Sequence, residues 1–281
     1  MAKHSVRTRV VAAILCVVFL VSIFLGIAQI GVEINQAWRR WMPDYEKKDI
    51  TAILKKPELT DEDYQTLYEQ TGLAKAGVDG LIKRGQTTKI VDIQTMFFED
   101  RKVNLLHIAP FTYQEVCDTF MLHAALEDGD IILTASVYVS YFRYGHSALV
   151  VDGEKGELLE SLEPGSFSKV TYKNNMFLFS TFLILRPKVE EEVRKQVAKF
   201  AAENLINIPY RLTTGILSKK FQEPLKGTQC THIVWWAYKK FGVELDGNGG
   251  SVVKPQDIFL SDKVEVVQAY GYPLDTLWGE T

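Results

Sequence analysis

Three residues in the second half of the chain are of the types that nucleophilic catalysis needs. Cys230 lies in the segment "GTQCTHIVWWAYKKFG" (residues 227–242), at the first turn of a predicted helix. His146 opens the predicted strand "HSALVVDG", and Glu160 lies in the next one, "GELLESL". A helix N-terminus and an imidazolium both lower the pKa of a thiol, and the thiolate is the nucleophile. The imidazole takes the thiol proton, while a third polar group orients the ring.

Other interpretations of these residues remain open at this point. A single cysteine such as Cys230 is also compatible with a buried structural thiol or, outside the cell, with a disulfide to Cys117. A strand histidine can equally be a hydrogen-bonded core residue. Glu163 and Asp152 compete with Glu160 as the orienting group. Glu163 precedes a proline in a predicted turn, and this favours Glu160.

The residues from about 128 onward predict an antiparallel sheet that would position the histidine and the glutamate. The runs "GDIILTAS", "HSALVVDG", "GELLESL" and "TFLILRP" are short, rich in β-branched residues and closed by Gly, Asp or Pro. The segment "VDGEKGELLE" predicts a hairpin with its turn near residues 153–156. Because paired antiparallel strands bring side chains on one face into contact, we expect His146 and Glu160 to meet.

Helical periodicity predicts helices packed against this sheet. The segment "PKVEEEVRKQVAKFAAENLINIP" has apolar side chains on one face and glutamates in its first turn. A second helix begins at Cys230 and closes at Gly242. A short helix near residues 256–260 and the strand "VEVVQAY" follow. The pattern predicts an α+β domain over residues 128–281.

Residues 38–127 predict a stalk followed by a helical extension. The segment "LTDEDYQTLYEQTG" has Thr60 and Asp63 at capping-box spacing, and it ends at Gly72. A second short helix is predicted over residues 74–84. The stretch "TKIVDIQTMFFED" matches neither the helical nor the alternating pattern.

The N-terminus carries an uncharged run from Val10 to Val32 that exceeds the roughly 20 residues a membrane-spanning helix needs. A signal peptide has an apolar region of about 7–15 residues, so the run predicts an uncleaved anchor over residues 1–37. Cleavage after Ala28, giving a secreted protein, is the alternative. Basic residues flank the run on both sides, and we expect the N-terminus inside and the body outside the cytoplasm.

Composition excludes several other classes of function. The net charge is −3, and no basic stretch is interleaved with aromatic residues, so no nucleic-acid partner is predicted. The chain has only three cysteines and no CxxC or HxxxH pair, so neither a disulfide framework nor a metal site is predicted. No cofactor is expected.

The order of these segments resembles the YiiX/YebB-like branch of the NlpC/P60 superfamily, which consists of circularly permuted papain-like cysteine hydrolases. The segments "YGHSALVVDG", "LLESL" and "TQCTHIVWWAYKKFG" carry the resemblance, and "GDIILTAS" and "NIPYRLTTG" match neighbouring segments. It covers about residues 128–270. The resemblance implies that Cys230 is the nucleophile, His146 the base and Glu160 the orienting residue.

Two further residues are candidates for contact with a substrate. Tyr210 resembles an aromatic residue of the family and is expected to line the cleft, although core packing explains it equally well. Gln229, or the backbone N–H of Cys230, is a candidate oxyanion donor.

The resemblance implies a cysteine hydrolase that cleaves an amide or related acyl bond through a thioester. The predicted anchor would hold it at the membrane, and with the expected outward orientation it makes peptidoglycan peptides the first substrate class. The segment "QCTH" also resembles lecithin:retinol acyltransferase-like proteins, in which the orienting residue is typically a second histidine. A lipid acyltransferase or lipase, and a non-catalytic binding module, are therefore the alternatives.

Overall fold

The computed structural model describes residues 6–39, 41–109, 112–139 and 142–275. Residues 1–5 of the predicted anchor and 276–281 of the predicted domain lie outside these ranges. The described helices are α1 (Val6–Arg39), α2 (Asp61–Thr71), α3 (Lys75–Lys83), α4 (Thr87–Phe97), α5 (Glu191–Asn204), α6 (Cys230–Lys240) and α7 (Pro255–Phe259). The described strands are β1 (Val103–Ala109), β2 (Thr112–Cys117), β3 (Ile131–Thr134), β4 (Val137–Val139), β5 (Phe142–Arg143), β6 (His146–Asp152), β7 (Glu157–Glu160), β8 (Lys169–Tyr172), β9 (Phe182–Pro187) and β10 (Val264–Tyr270).

A six-stranded antiparallel sheet with the order β10-β9-β3-β6-β7-β8 forms the centre of the fold. The predicted α+β class with an antiparallel sheet is confirmed. The predicted hairpin joins β6 to β7, and Gly156 in its turn has a φ of 71°, which glycine adopts readily. A second sheet, β1-β2-β4-β5, was not predicted from the sequence.

Both faces of the central strands β3, β6 and β9 are buried. Successive side chains of a strand point to opposite faces. One set packs in a core shared with residues of α2, α3 and α4, and the other packs against α5 and α6. Burial on both faces explains why β3, β6 and β9 read as continuous apolar runs. The first set includes Ile132, Ala148 and Leu158, and the second includes Ile131, Leu149 and Leu159.

The helical extension is joined to the sheet by backbone hydrogen bonds along β10. The Ala74 N–H donates to the Val267 carbonyl at 3.0 Å, and the Ala269 N–H donates to the Gly72 carbonyl at 2.8 Å. The capping box of Thr60 and Asp63 is confirmed at the start of α2. The stretch "TKIVDIQTMFFED", which matches neither the helical nor the alternating sequence pattern, contains most of α4. The extension and the sheet therefore share one core.

The N-terminal helix α1 contains a window, Arg7–Ile27, with a mean hydropathy of 3.1 and no buried residues. A helix of that length rises about 1.5 Å per residue, which matches the roughly 30 Å hydrocarbon core of a bilayer. The helix is therefore long and apolar enough to cross a membrane.

Gly72 provides a test of how tightly the extension is joined to the sheet. It ends α2 in the left-handed conformation with a φ of 71°, and a Cβ there would lie 2.0 Å from the Ala269 carbonyl oxygen. We expect Gly72→Ala to lower the free energy of unfolding by at least about 3 kcal/mol, because steric overlap adds to the conformational cost.

Gly85→Ala is the matched control, since Gly85 has a similar φ of 67° and open space around its Cβ position. It is expected to lose only about 1 kcal/mol. Urea unfolding of the full chain in mild detergent measures both values. Equal losses of unfolding free energy in the two variants would show that the close contact of position 72 with β10 does not contribute to the destabilisation.

Candidate active site

Cys230 is the first residue of α6, and the residue before it holds the helix end in place. The Gln229 side-chain oxygen accepts a hydrogen bond from the Thr231 N–H at 2.8 Å, which caps the helix. The Gln229 amide nitrogen donates to the Val253 carbonyl at 2.8 Å. The first N–H groups of a helix have no acceptor within the helix, and its N-terminus favours negative charge. The position of Cys230 therefore stabilises a thiolate.

His146 is the first residue of β6, where it pairs with Thr134 of β3. Gly145 precedes it with a φ of 79°, in the left-handed region that favours glycine. The Gly145 N–H donates to the Val137 carbonyl at 2.9 Å. The backbone that leads into His146 is therefore fixed by a turn that needs a glycine.

Glu160 is the last residue of β7 and contacts His146 across the hairpin. Leu149 pairs with Leu159, and continuing this register makes Glu160 a diagonal neighbour of His146 on the same face. The distance between His146 Nε2 and Glu160 Oε1 is 2.9 Å. The other carboxylate oxygen, Oε2, accepts a hydrogen bond from the Thr171 hydroxyl of β8. Both oxygens of the carboxylate are thus held.

The three side chains are almost completely buried, with exposed fractions of 3% for Cys230, 5% for His146 and 1% for Glu160. Burial lowers the pKa of His146, but hydrogen bonds to Cys230 and Glu160 outweigh it and raise the pKa to about 10. Burial raises the pKa of the Cys230 thiol, but the hydrogen bond to His146 and its positive charge bring this pKa below its ordinary value. The two shifts together favour a thiolate–imidazolium pair.

The orientation of the imidazole follows from the contact with Glu160. Nε2 is engaged by the carboxylate, so Nδ1 is the ring nitrogen left for the thiol. In its protonated form the Cys230 thiol donates to Gln229 Oε1 at 3.3 Å. The arrangement therefore has the parts of a nucleophile, a base and a group that orients the base.

These contacts distinguish among the candidate carboxylates and show the state of the thiols. Asp152 pairs with Lys155 at 2.7 Å, and Glu160 is the carboxylate that contacts His146. Cys230 carries a free thiol, so the alternative disulfide to Cys117 is not formed. Within the described ranges, no three His, Cys, Asp or Glu side chains are grouped so that they could hold a metal ion.

The two predicted substrate-binding residues lie beside the thiol. Tyr210 forms a bridge with Thr228, two residues before Cys230, and is half-buried. Burial and the charge of Cys230 raise the pKa of Tyr210. Gln229 is 1% exposed, and both ends of its amide are used in capping α6 and in binding Val253.

Sequence reasoning missed three residues at this site. Thr171 binds Glu160, but finding it required the register of β8, which no local pattern gives. The Ser147 hydroxyl donates to the Thr231 hydroxyl at 3.2 Å and joins β6 to α6. Tyr144 interacts electrostatically with Cys230: burial, and then the charge of Cys230, raise the pKa of the phenol.

No family model, curated protein or solved structure matches this chain. The resemblance to the NlpC/P60 superfamily therefore stays a prediction.

The lowered pKa of Cys230 predicts its reactivity. Alkylation of Cys230 by iodoacetamide is expected to continue at pH values where an ordinary thiol, with a pKa of about 8.5, is protonated. In His146→Ala the thiolate loses a hydrogen bond and a positive charge, so its pKa must rise and the rate profile must move to higher pH. Mass spectrometry of the Cys230 peptide at a series of pH values measures the profile.

Cys117 is the internal reference, because it is buried to a similar extent at the end of β2. It is expected to react more slowly than Cys230 at mildly acidic pH. A Cys230 profile that is the same with and without His146 would contradict the ion pair.

Proposed function

We propose that the chain is a membrane-anchored cysteine hydrolase that cleaves an amide or related acyl bond through a thioester intermediate. The observation that supports this most is the buried set of Cys230, His146 and Glu160, with the 2.9 Å contact between His146 Nε2 and Glu160 Oε1. A histidine or a thiol with a purely structural role does not require the other as a partner. Here the thiol lies at a helix start beside a carboxylate-bound imidazole, and its pKa is lowered.

The geometry supports the following mechanism. The Cys230 thiolate attacks the carbonyl carbon of the substrate, a C–S bond forms, and the π electrons move onto the oxygen. The intermediate collapses as His146 donates its proton to the departing amine or alkoxide. His146 then takes a proton from water, which hydrolyses the thioester and releases the thiolate. Glu160 keeps the ring in orientation and stabilises its charge.

The finer assignment of the fold is part of this proposal. The order His146, Glu160 and Cys230, on β6, β7 and the start of α6, is the order of the circularly permuted papain-like hydrolases of the NlpC/P60 superfamily. Fold similarity alone does not define the substrate. Peptides of peptidoglycan are the first substrate class to test, since we propose that the body lies outside the cytoplasm.

A lipid acyl bond is the second candidate substrate, and one observation favours it. The loop between α5 and α6 exposes large apolar side chains shortly before the nucleophile. Exposed apolar groups of this kind can contact acyl chains or a membrane surface. They are Ile206, Leu212, Ile216, Leu217 and Phe221, with exposed fractions of 40%, 49%, 63%, 79% and 36%.

The proposed anchor predicts where the chain resides. Full-length protein is expected to stay with the membrane fraction after an alkaline wash, because α1 is held by hydrophobic burial and not by charge. A chain that lacks residues 1–37 is expected in the soluble fraction. A soluble full-length chain, or a mature protein beginning at Gln29, would contradict the anchor.

The catalytic set predicts a graded loss of activity. His146→Ala removes the base and is expected to reduce turnover at least about 1000-fold. Glu160→Gln keeps an acceptor for the ring N–H and is expected to retain measurable turnover. Glu163→Gln is the matched control, since Glu163 lies three residues further on and Glu160 is the carboxylate that contacts His146.

Product formation from peptidoglycan peptides and from phospholipids, measured by mass spectrometry on full-length protein in detergent, compares these variants. Cleavage of lipid but not peptide would favour the second candidate substrate. No cleavage, together with an unreactive Cys230, would favour a non-catalytic binding module. Equal and complete losses in Glu160→Gln and His146→Ala would indicate a more direct role for Glu160.

A further inference from the structure

The two ends of the six-stranded sheet differ in the side chains that they expose. The strand register places His146, Glu160 and Tyr270, the last residue of β10, at one end, the site end. At the opposite end, exposed charged side chains flank the β6–β7 turn, the end of β9 and the start of β10. They are Glu154, Lys155, Lys188, Asp262 and Lys263. The opposite end is therefore suited to contact with water.

Two connections at the site end expose large apolar side chains instead. Ile216 and Leu217 belong to the loop between α5 and α6, which leads into the first turn of α6. Phe167 belongs to the connection between β7 and β8 and is 56% exposed. The Ser168 N–H donates to the Ile208 carbonyl at 2.8 Å, which joins these two connections. They therefore lie side by side at the site end.

The tip of the second sheet extends this apolar character. β4 follows β3, and β5 precedes β6, at the site end, so the β4–β5 hairpin lies at that end as well. Its side chains Val139 and Phe142 are 41% and 70% exposed. Large exposed apolar surfaces mark contacts with a partner or with a membrane. The docking face consists of Val139, Phe142, Phe167, Ile216 and Leu217.

The predicted anchor joins the body at the same end. Trp41 follows α1 and packs on Phe97, with 5.7 Å between the ring centroids, and Phe97 packs on Tyr270 at 6.5 Å. Tyr270 marks the site end. Even fully extended, at about 3.5 Å per residue, the chain from Ile27 to Trp41 reaches at most about 50 Å. A bilayer-spanning α1 therefore keeps the docking face close to the bilayer.

The charge of the loop between α5 and α6 fits a lipid surface with anionic head groups. Arg211, Lys219 and Lys226 are exposed there, whereas the whole chain has a net charge of −3. The acidic residue of this loop, Glu223, is paired with Lys240 at 2.8 Å. Apolar side chains bordered by basic ones are typical of segments that bind at a bilayer interface. The composition of the loop thus favours lipid as the occupant of the docking face.

We propose that the docking face rests on the surface of the bilayer that α1 spans, with the basic residues of the loop on anionic head groups. This inference rests on the proposed anchor and does not require the proposed hydrolysis. The docked body has Cys230 at the end that faces the lipids, because α6 begins at the site end. With the proposed chemistry, the acyl bonds of membrane lipids are then the substrates closest to the thiol.

A fluorophore on the docking face tests this in the full-length chain. In a chain with Cys16→Ala and Cys230→Ala, Leu217→Cys is labelled with NBD and reconstituted into vesicles of phosphatidylcholine and phosphatidylglycerol. Some of the lipids carry a nitroxide near the head-group end of the acyl chain. A docked label lies about 5–10 Å into the interface, so we expect these nitroxides to quench it at least about two-fold. Phe142→Cys gives an independent measurement from the second sheet.

Lys155→Cys is the control, since its side chain is 68% exposed in the β6–β7 turn at the opposite end. Its label is expected to stay unquenched. The chain without an added cysteine measures any labelling of Cys117, which is buried. Quenching at position 217 is expected to fall when phosphatidylglycerol is left out. It is expected to fall in the same way when Arg211→Gln, Lys219→Gln and Lys226→Gln are combined.

Labels at positions 217 and 142 that stay unquenched in a vesicle-bound chain, or that are quenched no more than the label at 155, would overturn the inference. Shielding that appears only when several chains share a vesicle would assign the docking face to a second copy, and would overturn it too. Unchanged quenching in the combined variant would contradict the contact of the basic residues with head groups.

The failures of this inference and of the proposed function are distinguishable. Full-length protein that does not stay with the vesicles overturns the proposed anchor, and this inference with it. A vesicle-bound chain with unquenched labels overturns the docking alone. An unreactive Cys230 in the parent chain contradicts the proposed hydrolysis, whereas quenching at positions 217 and 142 still supports the docking.

Discussion

The hydrogen bond between His146 and Glu160 is the interaction on which the candidate site depends. Two other histidines shift in the opposite direction: burial, together with nearby lysine charges, lowers the pKa of His123 to about 3 and that of His232 to about 4. His123 hydrogen-bonds the Ala124 carbonyl, and His232 hydrogen-bonds a threonine hydroxyl and a carbonyl. His146 is also buried, yet its pKa rises to about 10. The charged partners reverse the effect of burial, because low local dielectric strengthens their attraction.

This interaction needs strands and a helix that are themselves fixed, and α6 is fixed at both ends. At its start, Gln229 binds Val253. Towards its end, the Tyr238 hydroxyl donates to the carbonyl of Gly129, two residues before β3, at 2.5 Å. A Cβ at position 129 would lie 2.7 Å from that hydroxyl, so glycine is needed for the close approach. The thiol is therefore placed by contacts along the whole helix and not by its own neighbours alone.

The sequence predicted those parts of the fold whose signals are local. The β6–β7 hairpin, the capping box and the helix that starts at Cys230 all depend on residues a few positions apart. The helix α4 was not predicted because Gln94 occupies a buried position in it and interrupts the apolar pattern. Gln94 is buried because it donates to the Lys48 carbonyl at 2.7 Å and to Gln70 at 3.0 Å, partners distant in the chain. Thr171 was not predicted because its contact with Glu160 also joins residues distant in the chain, and it depends on the register of β7 and β8.

Burial of the thiol has opposite consequences for reactivity and for access. With 3% of its surface exposed, Cys230 is shielded from water, which strengthens the ion pair with His146. The same shielding means that, in the proposed mechanism, a substrate carbonyl has to reach a thiol that is almost completely buried. In the proposed mechanism Cys230, His146 and Glu160 act only on the carbonyl and its leaving group, so they provide chemistry without selectivity. Under the proposed function, discrimination between substrates therefore has to arise from other side chains around the thiol and not from these three residues.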